Sequence, residues 1–212
     1  MRPGLLKRKI LNSGAIAISY FKLIPDLFRL NKKSVVLDCG ANVGHISKLL
    51  SYTGASIISF EPDPIAFKQL THRCRNRKNI TCIQKGVWDK SSVLKMFTHK
   101  EAQEGDVCFT VGSSIIAEKQ NVDTQRTQDI EVIDLVAYLQ EQEQKVDLVK
   151  LDIEGAEIEI LKKIIATDTH HLFNRMYVET HETKIPSQKK DLDLIKQQLK
   201  EKGIENIKLN WI

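Results

Sequence analysis

The chain has 212 residues, enough for one α/β domain with a buried core, and its 42% hydrophobic and 28% charged content is that of an ordinary water-soluble protein. The net charge of +5 is uneven: residues 1–34 carry Arg2, Lys7, Arg8, Lys9, Lys22, Arg29, Lys32 and Lys33 against Asp26 alone. That segment therefore holds +7 and the remainder −2, which excludes a broadly basic nucleic-acid binder.

In the basic segment Ile10, Leu11, Ile16, Ile18, Phe21, Ile24, Leu27 and Phe28 interleave with the charges, which predicts one or two amphipathic helices. Residues 1–33 thus read as a basic helical arm or lid on a domain of residues 34–212. Such an arm could touch an anionic membrane or a phosphate-bearing substrate, or pack on the core with a solvated basic face. The apolar stretch Ala15–Phe21 is short for a secretory signal, with no small-residue cleavage site after it. No run approaches the ~20 apolar residues of a membrane span. Cys39, Cys74, Cys82 and Cys108 form no C-x-x-C pair and no zinc spacing, so free thiols are expected. These features place the chain in the cytoplasm, at the inner membrane face if the arm docks there.

Val35–Cys39 reads as the first strand, and Ile46, Leu49 and Leu50 stripe the helix that follows. Ser56–Phe60 is a second strand, and Asp63 before Pro64 starts a helix carrying Phe67, Leu70 and Cys74. Ile80–Val87 reads as strand three, ending in Trp88-Asp89, and Val93–Phe97 as another strand. Residues 98–112 are polar and patternless, as in an active-site loop. Ile130–Ile133 is a short strand, with Asp134 capping a helix that carries Leu135, Val136 and Leu139. The run Val146–Leu151 has the continuous apolar character of a central parallel strand, broken by Lys150. A helix with Ile158, Leu161 and Ile165, the strand Met176–Val178 and a helix with Leu192, Ile195 and Leu199 follow. Gly203 stops that helix, and Ile204–Ile212 closes as a strand. This order predicts an α/β fold: a doubly wound, mostly parallel sheet with helices on both faces.

The turn Asp38-Cys39-Gly40-Ala41-Asn42-Val43-Gly44 joins the first strand to its helix, where backbone N–H groups and a helix N-terminus approach a cofactor. A nicotinamide G-x-G-x-x-G would need glycines at 42 and 45, which are Asn42 and His45. The acid-x-G-x-G-x-G loop of S-adenosylmethionine (SAM) methyltransferases is similar: Asp38, Gly40 and Gly44 match. Asn42 replaces the middle glycine, and asparagine tolerates left-handed backbone angles.

Ligands of such sheets bind beyond the carboxyl ends of the strands. Acids stand at five predicted ends: Asp38, Glu61, Asp89, Asp152 and Glu179. Glu61 could accept hydrogen bonds from ribose hydroxyls or be a solvated turn acid. Asp89 could accept from an adenine amino group, and Trp88 could cover the ring or merely fill core. Lys150 and Asp152 share one side of their strand, and a lysine buried there calls for Asp152, Glu154 or Glu179 as partner.

The segments Leu37–Gly44, Phe60–Pro64, Gly112-Ser113-Ser114, Val146–Glu157 and Val178–His181 resemble the FkbM-type SAM-dependent methyltransferases. The shared patterns are D-x-G-A-N-x-G, F-E-P-x-P, a serine pair, K-x-D-x-E-G-x-E and E-x-H, spread in order over residues 34–182. The resemblance implies SAM held by Asp38, Gly40, Ala41, Asn42, Gly44, Glu61, Pro62, Trp88, Asp89 and Asp152. It implies O-methylation of a hydroxyl on a sugar in a glycan, a nucleotide- or lipid-linked sugar, or a natural product. The short arm and the single strand after the last helix, where the fold usually ends in an antiparallel hairpin, depart from the family.

Lys150, Asp152, Glu179 and His181 are the expected catalytic residues. His181, oriented by Glu179 or Glu182, would be the base, or else a histidine bonded in the sheet rim. Asp152, Glu179 and His181 could alternatively hold magnesium or manganese. RNA ribose 2′-O-methylation is the alternative reaction, disfavoured by the slightly acidic body and the 6% aromatic content. DNA-base methylation would want an Asp/Asn-Pro-Pro-aromatic turn where Asp152-Ile153-Glu154-Gly155 stands. A non-catalytic SAM-binding protein is the remaining alternative.

Overall fold

The computed structural model describes residues 3–101 and 112–211, with side chains from residue 12 onward. β1 (Val35–Cys39) lies inside a six-stranded sheet with β2 (Ser56–Phe60), β3 (Ile80–Ile83), β7 (Leu148–Leu151), β8 (Met176–Val178) and β9 (Ile207–Lys208). The spatial order is β3-β2-β1-β7-β8-β9, and all five pairings are parallel. The winding direction therefore reverses between β1 and β7, where this class of sheet opens its crevice.

Period-two alternation divides each central strand between two cores. Val36 and Leu148 join Leu50 of α2 (His45–Ser51) and Leu23 of α1 (Pro3–Arg29) on one face. Leu37 and Val149 turn to the other face. They meet Leu135 of α4 (Leu135–Gln140), Ile160 of α5 (Glu157–Ala166) and Ile195 of α6 (Lys189–Glu201). Each such fully buried aliphatic side chain stabilises the fold by about 1.5–3 kcal/mol. The fold is the expected doubly wound α/β sheet with helices on both faces.

The N-terminal segment forms one helix, α1, with Pro25 inside it. Its second half is tied to the sheet: buried Asp26 accepts from Arg175 Nη1 at 3.0 Å and from the Tyr177 hydroxyl at 3.0 Å. Among the described residues no helix is long and apolar enough to cross a membrane.

Four predicted boundaries change. Strand three breaks after Ile83: β3 pairs with β2 up to Ile83, while β4 (Gly86–Trp88) pairs with β6 (Val122–Asp134) in a separate three-stranded sheet, order β4-β6-β5. The polar step Gln84-Lys85 is where the chain leaves the main sheet. β6 is far longer than Ile130–Ile133 because its first half, hydrogen-bonded antiparallel to β5 (Ser92–His99), is largely solvent-facing and shows no apolar alternation. Val146 forms only an isolated bridge with Phe173 ahead of β7. The closing strand shrinks to β9, parallel to β8, so the described residues contain no antiparallel terminal hairpin. Of the polar stretch 98–112, residues 102–111 lie outside the described residues, as does Cys108. Cys39, Cys74 and Cys82 are free thiols.

Local chemistry sets the helix starts. Asp63 accepts from the N–H groups of Ile65 and Ala66 at the head of α3 (Pro64–Cys74), and Asp134 accepts from Val136 and Ala137 at the head of α4. Gly203, with φ +64°, follows the end of α6.

Candidate active site

A cavity of about 640 Å³ opens over the carboxyl ends of β1, β2, β7 and β8, the size range of a cofactor or small-molecule site. Gly40, Ala41 and Asn42 form its floor after β1, Glu61 and Pro62 stand at the end of β2, and Lys150, Asp152 and Glu179 at the ends of β7 and β8. Ile16 and Ser19 of α1 supply one wall, and Met96, Ile130 and Val132 of the small sheet another.

The turn after β1 is shaped by three positive φ angles, at Gly40 (78°), Asn42 (47°) and Gly44 (82°). At Gly40 the turn is pressed onto β7: a Cβ there would lie 1.8 Å from the Asp152 carbonyl oxygen. Gly40→Ala should cost about 1–2 kcal/mol for the left-handed backbone alone, with the clash added. The expected result is a lowered thermal midpoint and loss of SAM binding by calorimetry.

Glu61 is buried, and its carboxylate organises the floor. Oε2 accepts from Asn42 N at 2.8 Å and Oε1 from Asp63 N at 2.9 Å. Burial pushes its pKa up to about 8, opposed by those two N–H donors. A carboxylate has about four acceptor sites, so each oxygen keeps capacity for a ligand hydroxyl.

Lys150 is 3% exposed, directly across from Asp38 in the sheet register. Its Nζ lies 3.1 Å from Asp152 Oδ2 and 3.6 Å from Asp38 Oδ1, and donates to Gly40 O at 2.7 Å. Burial works against its charge, but Asp152 and Asp38 outweigh it and raise its pKa above that of a free lysine. Lys150 is thus a fixed cation locking the β1 turn to the end of β7. Asp38 itself lies beneath the turn, fully buried, accepting from Ser47 Oγ, and does not line the cavity. Gly44, packed toward Leu70 of α3, does not line it either.

Glu179 faces the cavity with its pKa pushed up to about 8, first by burial and then by the neighbouring Asp152 carboxylate. His181 behaves differently. It is 3% exposed and does not line the cavity. Its Nε2 lies 3.2 Å from Glu154 Oε2 and its Nδ1 3.3 Å from Glu157 Oε1. Burial alone would depress its pKa, yet Glu157 and Glu154 together push it up to about 11. Glu179 Oε1, the expected orienting group, lies 3.6 Å from the same Nε2. His181 is thus placed as a charge partner of Glu154 and Glu157 beneath the cavity wall.

The ligand-type side chains gathered here differ from the expected metal set, with Glu157 in the place of Glu179. Asp152, Glu157 and His181 bring ligand-type atoms within 4.8 Å of one another. However, Glu157 already accepts from Ile153 N at 2.8 Å and Gly155 N at 2.9 Å, and both ring nitrogens of His181 face carboxylates.

Trp88 and Asp89 are likewise away from the cavity. With the strand broken at Ile83, β4 runs beside β6, Trp88 packs against both hydrophobic clusters there, and the Asp89 carbonyl accepts from Lys163 of α5. Gly86 and Val87 take the lining position instead.

The sequence reading missed Lys119. Its side chain is wholly buried, donates to Gly112 O at 3.0 Å and pairs with Glu154. It secures a strained corner: Glu154 has φ +61° and Gly155 +115°, and Ser114 Oγ donates to Glu154 O at 2.6 Å. Burial would raise the Glu154 pKa, but His181 and Lys119 pull it below the usual carboxylate range. No periodicity marks Lys119 within its polar loop.

The family model described as Methyltransferase FkbM domain matches residues 38–205. Among solved structures, the chain is similar to methyltransferase FkbM from Methylobacillus flagellatus KT, at 18% identity and TM-score 0.49, over 81% of this chain and 38% of that one. It is also similar to phosphoethanolamine N-methyltransferase 1 of Haemonchus contortus, determined with phosphoethanolamine and S-adenosylhomocysteine, at 14% identity and TM-score 0.38, over 73% and 22% of the two chains. Human methyltransferase 10 domain-containing protein aligns at 15% identity and TM-score 0.43, over 81% and 62%. The chain thus spans well under half the length of the first two. No curated protein sequence matches. The matched segment runs from Asp38, the last but one residue of β1, to the turn beyond α6 and takes in every strand end around the cavity. This chain belongs to the methyltransferase FkbM domain family.

Proposed function

We propose that the protein transfers a methyl group from SAM to a hydroxyl of a sugar-type acceptor, whether in a glycan, a nucleotide- or lipid-linked sugar, or a natural product. One observation carries this reading. A carboxylate with a raised pKa, Glu179, shares a single cavity with the Gly40–Asn42 turn and with the half-satisfied carboxylate of Glu61.

The residues present fit SAM. Glu61 keeps acceptor capacity for the two ribose hydroxyls, the turn backbone and Pro62 border the same space, and Val87, Met96, Ile130 and Val132 offer an apolar wall for a purine. When bound, SAM supplies an activated methyl group on a sulfonium. The protein's part is alignment and proton removal. Glu179 takes the proton from the acceptor hydroxyl. Asp152, held by Lys150, fixes that hydroxyl, while Lys150 anchors the Gly40 carbonyl and keeps the cofactor turn in register with β7.

Calorimetry with SAM and S-adenosylhomocysteine, followed by an acceptor screen read by S-adenosylhomocysteine formation, tests the reading. Sugars as sole acceptors support it; turnover only on RNA, or binding without turnover, overturns it. Glu61→Gln should weaken SAM binding by about 1.5–3 kcal/mol, roughly ten- to hundredfold, because an amide cannot accept from both N–H groups and the ribose together.

A further inference from the structure

We infer that α1 is a peripheral membrane anchor that lays an apolar stripe flanked by basic side chains onto an anionic lipid surface. Ile18, Phe21, Ile24 and Phe28 are 50%, 75%, 43% and 88% exposed. At 100° per residue they fall within an arc of about 120°, a single face of the helix. Two phenylalanines this exposed on one face leave a contiguous apolar patch that a globular surface rarely carries without a partner.

The chemistry of the flanks identifies the partner. Arg29 follows one edge of the arc beside Lys22, whose Nζ donates to Asn210 O, and Lys32 and Lys33, both exposed, continue from the helix end. The one carboxylate in residues 1–34, Asp26, is buried on the opposite side and committed to Arg175 and Tyr177. The exposed face of this segment therefore carries cations and no anion. Apolar side chains to enter the headgroup boundary, with cations to meet anionic headgroups, are the two ingredients of interfacial binding. α1 is also held rigidly, since Leu23 is fully buried against Val36, Leu50 and Leu148. The stripe is thus presented by the folded domain. The opposite face of α1 lines the cavity through Ile16 and Ser19, so the helix would stand between the lipid surface and the cavity. The inference does not depend on which acceptor is methylated.

Co-sedimentation of the full chain with phosphatidylcholine vesicles, with and without phosphatidylglycerol, tests it. The expected result is binding to the mixed vesicles alone, weakened by salt. Phe21→Glu with Phe28→Glu should reduce the bound fraction by about tenfold or more, and Lys32→Glu with Lys33→Glu should do the same, with thermal midpoints near wild type. Absence of binding, or equal binding to both vesicle types, overturns the inference. So does a wild-type dimer by sedimentation that the phenylalanine variant splits, which would make this face a contact between two copies of the chain.

Discussion

Glu179→Gln should lower kcat by about 10²- to 10⁴-fold while leaving SAM affinity near wild type, because the amide keeps the shape of the group and loses its ability to take a proton. The sign of the pH dependence follows from the same carboxyl. Its pKa is pushed up to about 8 by burial and by Asp152, so the base is present only above that value. Wild-type kcat should therefore climb as pH rises through about 8, and the residual activity of Glu179→Gln should be flat there. A Glu179→Gln enzyme of near-normal kcat would mean that another group removes the proton. Single-turnover rates across pH, with cofactor binding measured in parallel, separate these outcomes.

His181→Gln should act on stability. Removing the imidazolium leaves Glu154 and Glu157 buried without a full complement of positive charge, a change that costs about 3–5 kcal/mol. Against a typical total of about 5–15 kcal/mol, that is enough to unfold much of the protein at physiological temperature. The pH dependence gives an independent readout. A histidine whose folded pKa is about 11 against 6.5 unfolded contributes stability that is whole below 6.5 and is lost as pH rises toward 11. Glu61 and Glu179, raised from 4.5 to about 8, slope the same way between those values, since the folded state holds protons that the unfolded state releases. The wild-type melting temperature should thus fall steadily on the alkaline side, and His181→Gln should flatten the part above pH 8. An imidazole that titrates near 6.5 by NMR would overturn this account and return His181 to the chemistry.

Which parts of this site were legible in the sequence depends on how local their physics is. The caps at Asp63 and Asp134 are written within three residues of the helices they start, and both were readable. The cofactor turn was readable too, because Gly40, Asn42 and Gly44 are the residue types that left-handed backbone requires. Trp88 and Asp89 were misplaced because Ile80–Val87 reads as one apolar strand; the exchange of β2 for β6 as its partner is a tertiary event. The polar first half of β6 gave no period to read. His181 looked like a base because it stands near a strand end beside acids, and the pattern E-x-H says nothing about which acids enclose it. One signal was available: Glu157, at the head of α5, is placed to reach back to the N–H groups of Ile153 and Gly155, and so to the histidine behind them.

Lys119, Glu154, Glu157 and His181 come from three separate stretches of chain yet form a linked set of two cations and two anions, with Glu154 at the cavity edge. None can change alone without stranding an opposite charge, so the four positions should be inherited together or replaced together. A relative that carries an aliphatic residue at position 119 should also have lost the acid at 154, and with it the strained corner beside the cavity.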